Sequence, residues 1–217
     1  MPSEQIPSEP AAARAYRALE RLIVTLDLAP GSVTTETALV ERIGLGRTPV
    51  REAIQRLSWE GLMEIRPRAG IAVAALHVGD WRKVIDARRG VEILLARQAA
   101  RNVANEAAEQ FREAALAMQR AVINGNVIFF LEADKALDEA MALAAENPYA
   151  SRLAAPLQTH SRRFWFRYKS DTGLTEAAEH HVGIIKAILD RDEEAAGKEA
   201  KRLMALLRSH AEAAVRR

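Results

Sequence analysis

Three stretches of this sequence set ionisable side chains where an apolar helix face should run. Between residues 80 and 103, Val84, Arg88, Glu92, Leu95 and Ala99 place an arginine and a glutamate on one apolar stripe. Between residues 127 and 145, Leu131, Asp134, Leu137, Asp138 and Met141 do the same with two aspartates. Between residues 174 and 190, His181 lies among Ala177, Ala178, Ile184, Ile185 and Ile188. Spacings of three and four put each set on one side of a helix. Inward charges cost free energy unless they are paired or liganded. Three helices offering them therefore point to one shared polar pocket of Arg88, Glu92, Asp134, Asp138 and His181. Asp134 and Asp138 sit one turn apart with like charge, and once buried they need a proton, a cation or Arg88 nearby. The carboxylates and the imidazole suit a divalent ion such as Zn, Ni or Mn, with water or a ligand carboxylate completing the shell. Arg88 and His181 suit a small anion met directly. A purely structural ion-pair network is the third reading.

A second set of residues is basic. Arg47-Thr48-Pro49 precedes Val50, Ala53, Ile54 and Leu57, an apolar face at helical spacing. Threonine at the N-cap with proline at the first helical position predicts a helix start there. With Val50, Ile54 and Leu57 turned inward, Arg51 and Gln55 fall on the outer face. Arg47 and Thr48 then stand at the N-terminus, where free N–H groups and the helix dipole attract phosphate. Arginine forks onto guanine O6 and N7, and threonine bonds phosphate. Glu52 and Arg56 read as an ordinary surface pair. Arg66 and Arg68, in a hairpin tip that ends at Gly70, suit a wing that reaches phosphates or the minor groove.

The elements that must carry these side chains are mostly helical. Aromatic residues are 5% of the 217 residues while alanine and leucine abound, which favours helix over sheet. A first helix carries Tyr16, Leu19, Leu22, Ile23 and Leu26 and ends before Ala29-Pro30-Gly31. Thr35 caps a short second helix that stops at Gly44. The helix after Pro49 closes at Gly61, and short strand-like runs over 62–65 and 71–74 form a hairpin. Helix, helix, turn, helix, hairpin is a winged helix–turn–helix. Six helices follow, at 80–103, 106–124, 127–145, 148–168, 174–190 and 192–215, with punctuation at Asn105, Asn124-Gly125-Asn126, Asn147-Pro148 and Asp171-Thr172-Gly173. The expected organisation is a flexible tail over 1–11, a DNA-binding domain over 12–76, and an antiparallel helical bundle over 79–217 for effector binding and dimerisation. Within the basic-aromatic run 162–168, Phe164, Trp165 and Tyr168 read as core.

Net charge is only +2, so any case for nucleic acid rests on where the arginines lie. Cysteine is absent, which excludes disulfides, thiolate nucleophiles and Cys-based zinc sites. No apolar run approaches the roughly 18 residues of a membrane span, and the first residues lack a signal-peptide pattern. A cytoplasmic address is expected, on the nucleoid when DNA is bound.

Arg47 to Leu57, read as RTPVREAIQRL and followed by Glu60-Gly61-Leu62, resembles the GntR family of transcription regulators. Leu28-Ala29-Pro30-Gly31 fits that family's entry to its second helix, and the six-helix remainder resembles its FadR-type effector domain, FCD. The resemblance implies a homodimer on a double-stranded, pseudo-palindromic DNA operator, released or rearranged by a small carboxylate metabolite. It also implies a metal held by an Asp-x-x-x-His pair and two later histidines. Here Asp134 and His181 match, Asp138 replaces a histidine, and Leu203 falls where the last histidine belongs. Gly46 stands where many members have serine. The expected function is a metabolite-responsive repressor that senses a small organic or sugar acid and requires no cofactor. The alternatives are a metal-dependent enzyme built on Asp134, Asp138 and His181, or a helical interaction module. No nucleophile elbow, phosphate loop or H-E-x-x-H motif supports catalysis.

Overall fold

A computed structural model describes residues 9–170 and 173–216. The mobile tail expected over 1–11 lies outside them up to residue 8, as does the Asp171-Thr172 break. The chain divides into two compact units between Leu76 and His77.

The first unit comprises α1 (Ala11–Val24), β1 (Val33–Thr34), α2 (Glu36–Ile43), α3 (Arg47–Trp59), β2 (Met63–Arg66) and β3 (Gly70–Val73). Its core gathers Tyr16, Leu19 and Ile23 of α1, Leu39 of α2, Val50, Ile54 and Leu57 of α3, and Leu62, Ile71 and Val73 of the hairpin. Thr35 caps α2 by accepting from the Ala38 N–H at 3.1 Å, and Gly44 ends it at φ 66°, a left-handed position that suits glycine. The sheet is antiparallel in the order β1-β3-β2. β1 was not expected: two residues are too short to show alternation, and their strand character comes from pairing Val33 with Ala72 and Thr34 with Ile71. Arg56 also departs from the expected surface pair. It bonds Glu60 at 2.9 Å and lies 3.8 Å over the Tyr16 ring, whose hydroxyl donates to Glu60 at 2.6 Å. The aromatic face and the acid at the far end of α3 together outcompete Glu52.

The second unit comprises α4 (Val78–Asn102), α5 (Asn105–Ile123), α6 (Val127–Ala144), α7 (Pro148–Tyr168), α8 (Gly173–Leu189) and α9 (Glu193–Val215). Asn126, Asn147 and Asp192 cap α6, α7 and α9, each accepting from a backbone N–H three residues on. α4 packs against α6, α7, α8 and α9, so its stripe bearing Arg88 and Glu92 faces the interior. Trp81 stacks on Phe164 and on Tyr168, each with ring centroids 6.2 Å apart; Phe164 and Trp165 are core, while Tyr168 is half-buried.

Candidate functional site

On α3 the sequence divides its two sides cleanly. Val50, Ala53, Ile54 and Leu57 are buried, Arg47, Thr48, Arg51 and Gln55 are exposed, and Pro49 is half-buried. The helix begins two residues earlier than Thr48 and Pro49 suggest: Gly46 is the N-cap, with no side-chain bond, and Thr48 and Pro49 are the second and third helical residues. Proline fits anywhere in a first turn, because none of those N–H groups has an intrahelical acceptor. The Thr48 hydroxyl is thereby left at the surface.

Arg51 is held. Its Nε donates to Glu36 Oε2 at 2.9 Å and its Nη2 to Oε1 at 2.8 Å. The Arg51 hydrogen bond, above all, holds the Glu36 carboxyl below its ordinary range. Sequence reasoning passed over Glu36, which reads as a routine acid in the first turn of α2. In the hairpin, Arg66 Nη2 donates to Glu64 at 2.8 Å, and exposed Arg68 has φ 65° at the tip. Gly70 has a local reason to be glycine: its φ is 98°, and a Cβ there would lie 2.5 Å from the Thr34 carbonyl oxygen of β1.

In the helical unit, Arg88, Glu92, Asp134, Asp138 and His181 converge, all at most 5% exposed. Arg88 Nε donates to Glu92 Oε2 at 2.7 Å, and its Nη2 lies 3.7 Å from Asp138 Oδ1. His181 Nε2 is 2.7 Å from Asp134 Oδ1, and its Nδ1 is 2.6 Å from the Ala177 carbonyl. A residue that sequence reasoning left in the basic-aromatic run completes the cluster. Arg162 of α7 is buried, and its Nη1 donates to Asp138 Oδ2 at 2.6 Å and to Asp134 Oδ2 at 3.2 Å. Gln158 adds a contact to Glu92 at 3.4 Å. The signal was a stripe: Ala150 and Ala154, continued by fours, reach Gln158 and Arg162.

Burial works against every charge here, and the neighbours decide the outcome. For Asp134, the His181 imidazole, then Arg162 and Arg88, more than offset burial and hold the carboxyl well below the usual range. For Asp138, burial and then the charges of Asp134 and Glu92 prevail over the two arginines, which pushes the carboxyl up to about 7. Burial would lower His181, but Asp134 outweighs it and raises the imidazole.

As placed here, these residues are poorly arranged for the divalent ion that the resemblance implies. Both aspartates already face one guanidinium, His181 is bonded at both nitrogens, and Leu203 is buried and apolar where a fourth ligand is needed. Arg162 occupies the position between the carboxylates that a cation would take. A divalent ion there would meet its positive charge in a dry environment. Among the described residues, no group of three or more His, Asp or Glu is arranged to hold a metal.

The half-open pocket beside these residues has space of about 20 Å³, room for about one water, and is lined by Arg88, Phe130, Asp134, Arg162, Trp165 and His181 among others. Arg88 Nη2 and Trp165 Nε1 border it, and both are buried donors with no hydrogen bond among the described residues. Phe130 packs edge-on to His181 at 5.8 Å and lies 5.4 Å from Trp165.

Comparison with known proteins bears on both units. The model of bacterial regulatory proteins of the gntR family matches residues 11–73, and that of the FCD domain matches residues 83–206. A probable D-xylose utilization operon transcriptional repressor of Paenarthrobacter nicotinovorans is 30% identical over 76% of this chain and 73% of its own. The HTH-type transcriptional repressor RspR of Escherichia coli K12 is 36% identical over 43% of this chain and 41% of its own. Among solved structures, E. coli McbR/YncC has the same fold, with a TM-score of 0.76 over 91% of this chain and 94% of that one at 18% identity. No helix among the described residues is long and apolar enough to cross a membrane.

Proposed function

Because this chain belongs to the gntR family of bacterial regulatory proteins and carries its FCD domain, and so is a DNA-binding transcription regulator and not an enzyme, we propose that it is a metabolite-responsive repressor. It binds a pseudo-palindromic operator as a homodimer and senses a small organic or sugar acid.

The observation that carries the DNA half is the split face of α3, whose buried side holds the core while Arg47, Thr48, Arg51 and Gln55 stand outside. The helix start offers free N–H groups and the Thr48 hydroxyl to phosphate, with Arg47 beside them. Arg51 and Gln55, one turn apart on the outer face, suit guanine and adenine edges. Arg66 and Arg68 reach the flanking backbone or minor groove from the hairpin. Two copies would set their α3 helices about 34 Å apart in successive major grooves. Affinity for a duplex should then fall with salt at a log–log slope of roughly −0.9 per neutralised phosphate. A slope near zero would remove the phosphate contacts from this reading.

The observation that carries the sensing half is the pair of buried donors, Arg88 Nη2 and Trp165 Nε1, on the space among α4, α6, α7, α8 and α9. Donors buried in excess call for an acceptor, and a carboxylate is the strongest small one. The Paenarthrobacter relative is named for D-xylose utilization, which supports the sugar part of this reading. The pocket has room for about one water, so an effector of this kind binds a more open packing of its lining and favours it. Coupling between that packing and DNA binding is reciprocal. No metal is needed, because Arg162 supplies the positive charge. A thermal-shift screen against organic and sugar acids, with and without Zn²⁺ or Mn²⁺, tests this. Stabilisation by an acid alone supports it; stabilisation only with metal present overturns the metal-free version.

A further inference from the structure

Arg51 presents one edge of its guanidinium to Glu36 and keeps the other. The two bonds to Glu36 use Nε and Nη2, the side-on fork. A guanidinium has a second fork at its tip, made by Nη1 and the remaining Nη2 hydrogen. The Arg51 side chain is 69% exposed and that of Glu36 30%, so the acid sits behind and the tip stands forward. Glu36 is the first residue of α2 and Arg51 is in the second turn of α3, so this pair bridges the two helices of the helix–turn–helix. The charge of Arg47, after that of Arg51, also lowers the Glu36 carboxyl.

From this geometry we infer that Glu36 is a specificity-determining residue, whose carboxylate fixes the side-on fork of Arg51 so that the tip fork is aimed at guanine O6 and N7. The inference rests on the reading of Arg51 as a base contact. An unrestrained arginine on a basic surface has many rotamers, and phosphate oxygens outnumber guanine edges around it. A carboxylate behind the guanidinium removes most of those rotamers. It also repels phosphate, so it weakens binding to any sequence while it favours the one that offers guanine. That is specificity gained through a repulsive element as well as an attractive one. Simple masking predicts something else, because an acid that only competes with DNA would weaken all duplexes in equal proportion.

The test is selection of duplexes from a random-sequence library by the full chain, by Arg51→Ala, by Glu36→Gln and by Glu36→Asp, with each protein's affinity also measured on a scrambled duplex. Arg51→Ala is expected to erase a guanine preference at one position of each half-site. Glu36→Gln is expected to weaken that same preference about tenfold, as expected when a bidentate base contact is lost, and to bind scrambled duplex more tightly. Glu36→Asp keeps the charge but withdraws it, and should weaken the preference without tightening scrambled binding. Full guanine preference in both Glu36 variants overturns the inference and leaves the Arg51 reading standing. Equal tightening on selected and scrambled duplexes by Glu36→Gln also overturns it, in favour of masking. If Arg51→Ala erases no position, the base-reading role of Arg51 falls, and this inference with it.

Discussion

Arg162 sits buried between two aspartates, and the charge balance of the helical unit's core turns on it. Removing one partner of a buried ion pair leaves the other charges uncompensated, at a cost of about 3–5 kcal/mol. Arg162→Met is therefore expected to lower the thermal midpoint sharply, and adding Asp138→Asn should recover much of the loss, as calorimetry on the two variants would show. Protons matter at the same place. An acid raised on folding from 3.8 to about 7, as Asp138 is, makes the native chain hold more protons than the unfolded chain between those values. Stability should fall as pH rises across that window. His181 acts with the same sign, since its raised imidazole contributes below its ordinary value and loses that contribution as pH climbs through the folded one. Asp134 acts with the opposite sign, but only as pH falls below its ordinary value of 3.8. Thermal midpoints from pH 5 to 8 should decline, and Asp138→Asn should flatten the profile; a wild-type profile parallel to that of the variant would contradict this. The acids and the imidazole of this cluster were visible in the sequence because charges interrupt otherwise apolar stripes. Arg162 was not, because Arg163, Arg167 and the aromatic residues Phe164, Trp165, Phe166 and Tyr168 crowd its neighbourhood and hide the stripe it belongs to.

Elements were legible wherever a cap or a long period marks them. Thr35, Asn126 and Asn147 stand at the helix starts the sequence announces, and all six helices of the second unit fall within two residues of their expected bounds. What escaped was whatever a distant element decides. β1 exists only because β3 pairs with it, and the Glu36–Arg51 bridge joins positions fifteen apart that no periodicity links. Gly70 belongs to the same class: its need for glycine is set by the Thr34 carbonyl. Gly70→Ala should strain the wing by about 1–3 kcal/mol at a left-handed φ, more if β1 must move. The expected outcome is a lower unfolding midpoint for the first unit and weaker duplex binding, with the helical unit unchanged. An equal drop in both units would contradict a local origin.

At the scale of the whole molecule, the chain forms two compact units, one with the basic face of α3 outside and the other with a cluster of charges buried in its core. The chain from His77 onward has its own core and is expected to fold alone and to show by itself the acid response proposed above, which far-UV circular dichroism and thermal shift on that fragment would check. The tight packing around Arg88, Trp165 and His181 has a consequence in time as well. A ligand that fits only after the helices part must wait for them to do so, at a rate it does not control. In stopped-flow mixing, the observed rate of capture should therefore level off as ligand concentration rises, at a ceiling equal to the rate of opening. The regulator would then answer a sudden flood of its metabolite no faster than its own core can loosen, and Phe130, wedged against both His181 and Trp165, is the side chain whose trimming should lift that ceiling.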